Sequence, residues 1–114
     1  MVIHRKDMKV EKTERRYDGE GVVQYTHFLD MGPEKRVKVL SEIILNPGCS
    51  IGYHRHDSDT HFYLVVSGTG TVNDDGKEVE ITTGDVTVTE NGASHSVKNN
   101  GPEPLVLHSI IVTY

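Results

Sequence analysis

Short β-branched runs, each broken within a few residues by Gly, Pro, Asn or Asp, recur from Val22 to Val112, and helical periodicity is weak throughout. This pattern restricts the chain to an all-β sandwich or barrel, because a helix needs a longer stretch with apolar residues repeating along one face. The candidate strands are Val22–Leu29, Val37–Leu45, Ser50–His54, Thr60–Ser67, Gly70–Asn73, Glu78–Thr82, Val86–Thr89, Ser94–Lys98 and Leu105–Val112. The breaks carry turn chemistry. Asn46-Pro47-Gly48 is a type II-like signal, and Asp74-Asp75-Gly76 is a hairpin signal because Gly tolerates positive φ. Asn99-Asn100-Gly101-Pro102 closes another turn. Residues 7–20 are polar and unpatterned, and read as a loop or a short helix.

The 114 residues make one domain, spanning 1–114, with enough chain to bury a core and too little for two. A single cysteine, Cys49, excludes an intrachain disulfide framework and fits a reducing compartment. The start, Met1-Val-Ile-His-Arg-Lys-Asp, is too polar for a signal peptide, and no run reaches membrane-spanning length, so a cytoplasmic location is expected. The formal net charge of −5 argues against nucleic acid, whose phosphates need a basic face, and no tryptophan is present for base stacking. Neither nucleic acid nor membrane is expected as a partner. A small molecule is.

Four histidines then stand out. His54 and His56 alternate along a strand and so project to one side, and His61 opens the next candidate strand after the Asp57-Ser58-Asp59 turn. Antiparallel pairing of those two strands is expected to set His61 beside the first pair, and a closed sheet to bring in His95. Neutral imidazole suits Zn, Cu, Fe and Ni, so the cluster points to a transition metal. His4 and His27 carry no such signal; His108 interrupts an apolar strand and is a candidate for the cavity wall or for a bond behind the ligands. Alternation from His61 puts Tyr63 and Val65 on the metal side, and Phe62, Leu64 and Val66 against the other sheet. Arg55, Ser94 and Ser96 alternate away from the ligands, and Cys49 reads as a small apolar residue, not a nucleophile. Asp57, Asp59, Asp74, Asp75 and Glu90 cluster near turns and read as solvated, with Glu90 kept as a candidate acid or base. No Gly-rich phosphate loop and no G-x-S-x-G elbow is present.

These residues resemble a known family. Gly48-x5-His54-x-His56-x4-His61-x6-Gly68 resembles the first cupin motif, in which Glu usually stands where this chain has His61. Gly84-x5-Glu90-x-Gly92-x2-His95-x3-Asn99 resembles the second, with Glu90 in place of the usual proline, and residues 69–83 form the short stretch between them. The resemblance implies a double-stranded β-helix (jelly-roll) barrel over about residues 37–113, with one divalent metal held inside by His54, His56, His61 and His95. It also implies a homodimer, formed through an N-terminal strand region near residues 20–30. Replacing the carboxylate by His61 leaves four neutral ligands and the full dipositive charge on the ion, making it a stronger Lewis acid. Such a site favours Fe, Ni or Zn, then Cu, over Mn, which prefers oxygen ligands. The alternative is that His61 turns away and leaves a three-histidine face.

Three functions are compatible with this reading. The first is a metal-dependent enzyme of oxygenase, lyase, isomerase or decarboxylase type, acting on a small organic molecule, with Tyr63, Glu90 and His108 as candidate acid–base groups. The second is a binding or sensing protein whose metal anchors a small ligand. The third is a purely structural ion, which a closed four-ligand shell would favour.

Overall fold

A computed structural model describes residues 1–29 and 32–114. Ten strands are present among these residues: β1 (Lys9–Glu14), β2 (Val22–His27), β3 (Val37–Leu45), β4 (Ser50–Arg55), β5 (Asp59–Ser67), β6 (Thr69–Asp74), β7 (Lys77–Thr82), β8 (Val86–Thr89), β9 (Ser94–Lys98) and β10 (Leu105–Thr113). They form a six-stranded sheet ordered β1-β2-β3-β10-β5-β8 and a four-stranded sheet ordered β4-β9-β6-β7, with every pair antiparallel. The inner faces meet over Val23, Ile43, Leu45, Ile51, Tyr63, Val65, Val72, Ile81, Val97, Leu105 and Leu107, all buried. Alternating burial along β3, β6 and β10 explains why these strands form here: one set of side chains leaves water while the other stays at the surface. The expected all-β jelly roll is the observed fold.

Strand β1 takes up much of the loop or short helix expected within residues 7–20, with short helical turns at Arg5–Asp7 and Arg16–Asp18 on either side. Strand β1 is an edge strand paired along its whole length with β2, and almost all of its side chains are exposed. Its register comes from backbone bonds to β2, so no apolar alternation marks it in the sequence. Of the 20–30 segment expected at a partner interface, residue 30 lies outside the described residues.

Two further placements differ from expectation. Strand β5 does not pair with β4. The chain turns a corner after Arg55 and β5 joins the opposite sheet, between β10 and β8. Phe62, Leu64 and Val66 consequently face outward, Phe62 half-buried and the other two exposed, whereas Tyr63 and Val65 face the core. Alternation sends every second residue of β5 to the face of the six-stranded sheet turned away from the core.

The turns follow their sequence signals. Asp75 and Gly76 both have positive φ, the conformation a tight two-residue hairpin requires, and the Asn73 side-chain oxygen accepts from the Gly76 N–H at 2.7 Å. The β6–β7 register, Asp74 opposite Lys77, is set by this turn.

Candidate metal centre

Both sheets contribute to one cluster of histidines. His54 on β4 and His95 on β9 are register partners in the smaller sheet. His56 lies just past β4, where its N–H donates to the Ala93 carbonyl at 2.9 Å and its carbonyl accepts from Gly92 at 2.6 Å. His61 comes from β5 and reaches across from the larger sheet. His56, His61 and His95 are buried and His54 is half-buried.

Four ring nitrogens converge. His95 Nε2 lies 3.0 Å from His56 Nε2, 3.1 Å from His54 Nε2 and 3.2 Å from His61 Nδ1, and His61 Nδ1 lies 3.1 Å from His56 Nε2. All four donor atoms fall within 4.8 Å of one another. The opposite nitrogen of each ring is engaged elsewhere. His54 Nδ1 donates to the Gly52 carbonyl at 2.7 Å, and His56 Nδ1 donates to Asp59 Oδ1 at 2.8 Å. Because a carbonyl and a carboxylate only accept, these bonds place the proton on Nδ1 and leave the inward Nε2 as a lone pair. His61 Nε2 meets Ser109 Oγ at 2.6 Å, and His95 Nδ1 meets Thr89 Oγ1 at 2.9 Å. Both hydroxyls can accept an imidazole proton, and in that tautomer four lone pairs aim at one point.

Converging lone pairs repel unless a cation lies between them. Donors at about 2.1 Å from an ion stand roughly 3.0 Å apart when at right angles, and farther apart in a tetrahedron. The observed 3.0–3.2 Å contacts match the former. The residues present therefore fit a divalent transition metal held by four imidazoles.

Protonation would destroy the cluster, and its surroundings resist it. Burial, then the neighbouring imidazoles, holds His61 down at about 2 and His95 at about 3. His54 is lowered chiefly by burial, with its bond to the Gly52 carbonyl opposing. In the unfolded chain such groups titrate near 6.5. Between the two values the unfolded state binds more protons, so stability from these residues is present above about pH 6.5 and is lost as pH falls toward the folded values. Metal-free protein should therefore lose stability below about pH 6, with a slope approaching roughly 2.7 kcal/mol per pH unit from His61 and His95 together. Denaturant midpoints of chelator-treated protein between pH 7 and 4 measure this, and a flat profile would contradict it.

Asp59, expected to be solvated, is 4% exposed. Its Oδ1 takes the His56 proton and its Oδ2 lies 3.5 Å from Lys38 Nζ. Nothing in the sequence distinguishes it from the nearby Asp57, since only the corner into β5 buries one of them. Asp59→Ala should weaken metal binding by roughly 10- to 100-fold through loss of ring orientation. Competition with a metal-sensing chelator reads this, and unchanged affinity would remove Asp59 from that role. Ser109 was findable: it continues the inward series Leu105, Leu107 on β10, a small polar residue where an apolar one is expected.

The other sequence candidates fall in different places. Tyr63 is fully buried and packs on His61 and His95, with ring centroids 4.4 and 5.2 Å away, and burial pushes its hydroxyl pKa well up. Glu90 is exposed at the β8–β9 turn. His108 lies on the outer face of β10, between the inward Leu107 and Ser109, with Glu42 at 3.8 Å and the Phe28 ring edge-on. Neither Glu90 nor His108 is part of the histidine cluster.

A two-sheet β barrel belongs to the jelly-roll class, and here its facing sheets bring together four imidazole nitrogens that could hold a metal ion. Residues 41–111 match the cupin domain family, and the chain belongs to it. Over 113 residues it is 31% identical to the oxalate-binding protein of Thermotoga maritima, covering 98% of this chain and 93% of that one. A predicted oxalate decarboxylase from Thermotoga maritima, known as a crystal structure, aligns with a TM-score of 0.95 at 30% identity over 100% of both chains. The cupin domain of Schizosaccharomyces pombe Cnp3 shares the fold, with a TM-score of 0.75 at 12% identity over 91% of this chain and 69% of that one. No helix among the described residues is long and apolar enough to cross a membrane.

Proposed function

We propose that this protein binds a small dicarboxylate anion, oxalate or a near analogue, through a divalent metal held by His54, His56, His61 and His95. The observation that carries the proposal is the convergence of four neutral nitrogen donors at right-angle spacing, 3.0–3.2 Å, with no carboxylate among them. Four imidazoles cancel none of the ion's dipositive charge, so a dianion is the ligand that neutralises it. Right-angled donors also do not complete the ion's shell, which argues against a purely structural ion. The likeness to an oxalate-binding protein supports the same choice.

When bound, the ion would supply Lewis-acid attraction for carboxylate oxygens. The chain's own residues hold it in place: Asp59 and the Gly52 carbonyl fix two ring tautomers, and Ser109 and Thr89 orient the other two rings. Binding without turnover is favoured because none of the expected acid–base groups reaches the anion's place. Tyr63 is sealed behind the ligands, Glu90 is exposed and His108 faces outward. Decarboxylation is the second reading, favoured by the likeness to a predicted oxalate decarboxylase.

Calorimetric titration with oxalate of protein loaded with one zinc per chain tests the first reading, with metal-stripped protein as control. Metal-dependent binding near one oxalate per chain is expected; no heat up to millimolar oxalate would overturn it. Release of carbon dioxide from the loaded protein at a steady rate would favour the second reading instead.

A further inference from the structure

The turn Arg16–Asp18 lies against β4 at the edge of the histidine cluster. Tyr17 stacks flat on His54, with ring centroids 3.9 Å apart and planes 10° from parallel. The Arg16 guanidinium lies over the Tyr17 ring at 4.8 Å from its centroid, and 5.9 Å from that of Tyr25. Tyr25 is half-buried against the core and belongs to β2, in the larger sheet. Arg16 thus lies over the ring that packs on His54 and near a ring of the opposite sheet.

This placement is held against local strain. Arg15, Tyr17 and Asp18 all adopt positive φ, at 52°, 49° and 62°. Left-handed conformations at three non-glycine residues in four are costly, and they persist where surrounding structure imposes them. That structure is visible. A Cβ on Gly52 would meet the Tyr17 carbonyl oxygen at 1.7 Å, and one on Gly19 would meet the Ser50 carbonyl oxygen at 2.2 Å, so two glycines allow the turn to sit directly on β4.

Arg16 is exposed and has no carboxylate partner among the described residues. The guanidinium lies over one ring and engages the Tyr25 hydroxyl, and its exposed edge keeps N–H donors in the fork geometry that matches a carboxylate. Burial raises the Tyr25 hydroxyl pKa while Arg16 opposes the rise, so Tyr25 keeps its proton and remains a donor beside the cation.

We propose that Arg16, aided by the Tyr25 hydroxyl, binds the outer carboxylate of a short dicarboxylate whose other end meets the metal, and so selects dicarboxylates over monocarboxylates. This rests on the reading of the histidine cluster as an anion-binding metal site. It adds the residue that recognises the second charge, and it assigns the strained turn the task of holding that residue beside His54.

Calorimetry on zinc-loaded protein, with oxalate, malonate and formate as probes, tests the proposal. Wild-type protein should bind a dicarboxylate more tightly than formate. Arg16→Gln should weaken dicarboxylate binding roughly 10- to 100-fold and formate only a few-fold, while Arg16→Lys, which keeps the charge without the fork, falls between. Zinc content should match wild type in both variants. Arg16-dependent binding of malonate without any binding of oxalate would sink the oxalate reading and leave the role of Arg16 standing. Equal dicarboxylate affinity in wild type and Arg16→Gln would overturn the Arg16 proposal and leave the oxalate reading intact. Failure of every dicarboxylate to bind, or loss of zinc from Arg16→Gln, would also overturn it.

Discussion

His95→Ala should leave a barrel that holds a transition metal far more weakly, by more than the roughly 10- to 100-fold expected for loss of a residue behind the ligands. His95 is the residue to remove because its Nε2 contacts all three of the other donors, at 3.0, 3.1 and 3.2 Å. The three remaining nitrogens lose the donor that closes their arrangement, and a buried gap opens beside Tyr63, whose ring stacks on His95. His61→Glu makes the informative contrast. It restores the carboxylate usual at this position in the resembling motif, so it should keep an ion and shift preference toward Mn, an oxygen-seeking metal. Elemental analysis of both variants, purified without added metal, reads the outcome. Metal content and affinity in His95→Ala equal to wild type would refute the four-histidine site.

Asn99→Ala should destabilise the fold by about 2–4 kcal/mol, lowering Tm by roughly 10 °C or more. Asn99 is fully buried. Its side-chain amide donates to the Leu45 carbonyl at 2.8 Å and the Glu103 carbonyl at 2.7 Å, and its side-chain oxygen accepts from the Gly101 N–H at 2.9 Å. One side chain thereby ties the end of β3, the turn after β9 and the approach to β10. Alanine leaves the Leu45 carbonyl and neighbouring groups without these partners, and such groups are costly when water cannot replace them. Asn99→Asp separates hydrogen bonding from volume: it keeps the size but replaces the donating amide with a second acceptor, so it should be at least as damaging as alanine. Urea denaturation measures both variants, and a change below about 0.5 kcal/mol for Asn99→Ala would contradict this account.

Much of the fold was legible locally. Strands from Val22 to Thr113 fall within a few residues of the turn-bounded β-branched runs, because alternation and turn chemistry depend on neighbours in the chain. The edge strand Lys9–Glu14 was not legible, since its side chains bury almost nothing and its pairing is made by backbone alone. The histidines were visible as a set, but their route together was not. Local spacing suggested that His61 would come alongside His54 and His56 in one sheet, whereas β5 crosses to the other sheet and His61 faces them. No short-range signal encodes that choice, because sheet membership is decided by which strand can bury Tyr63 and Val65 against the opposite face.

The sequence by itself supplied the candidate donors, four imidazoles with a three-histidine face as the alternative, and a barrel of short strands to carry them. Only the tertiary structure decided what surrounds those donors. It buried Asp59 behind His56, set Ser109 and Thr89 behind His61 and His95, and laid Tyr17 on His54 with Arg16 over it. The physical reason is one of range. Ligand type is a property of single residues, whereas tautomer, burial and a cation poised at the mouth arise from contacts between residues far apart in the chain.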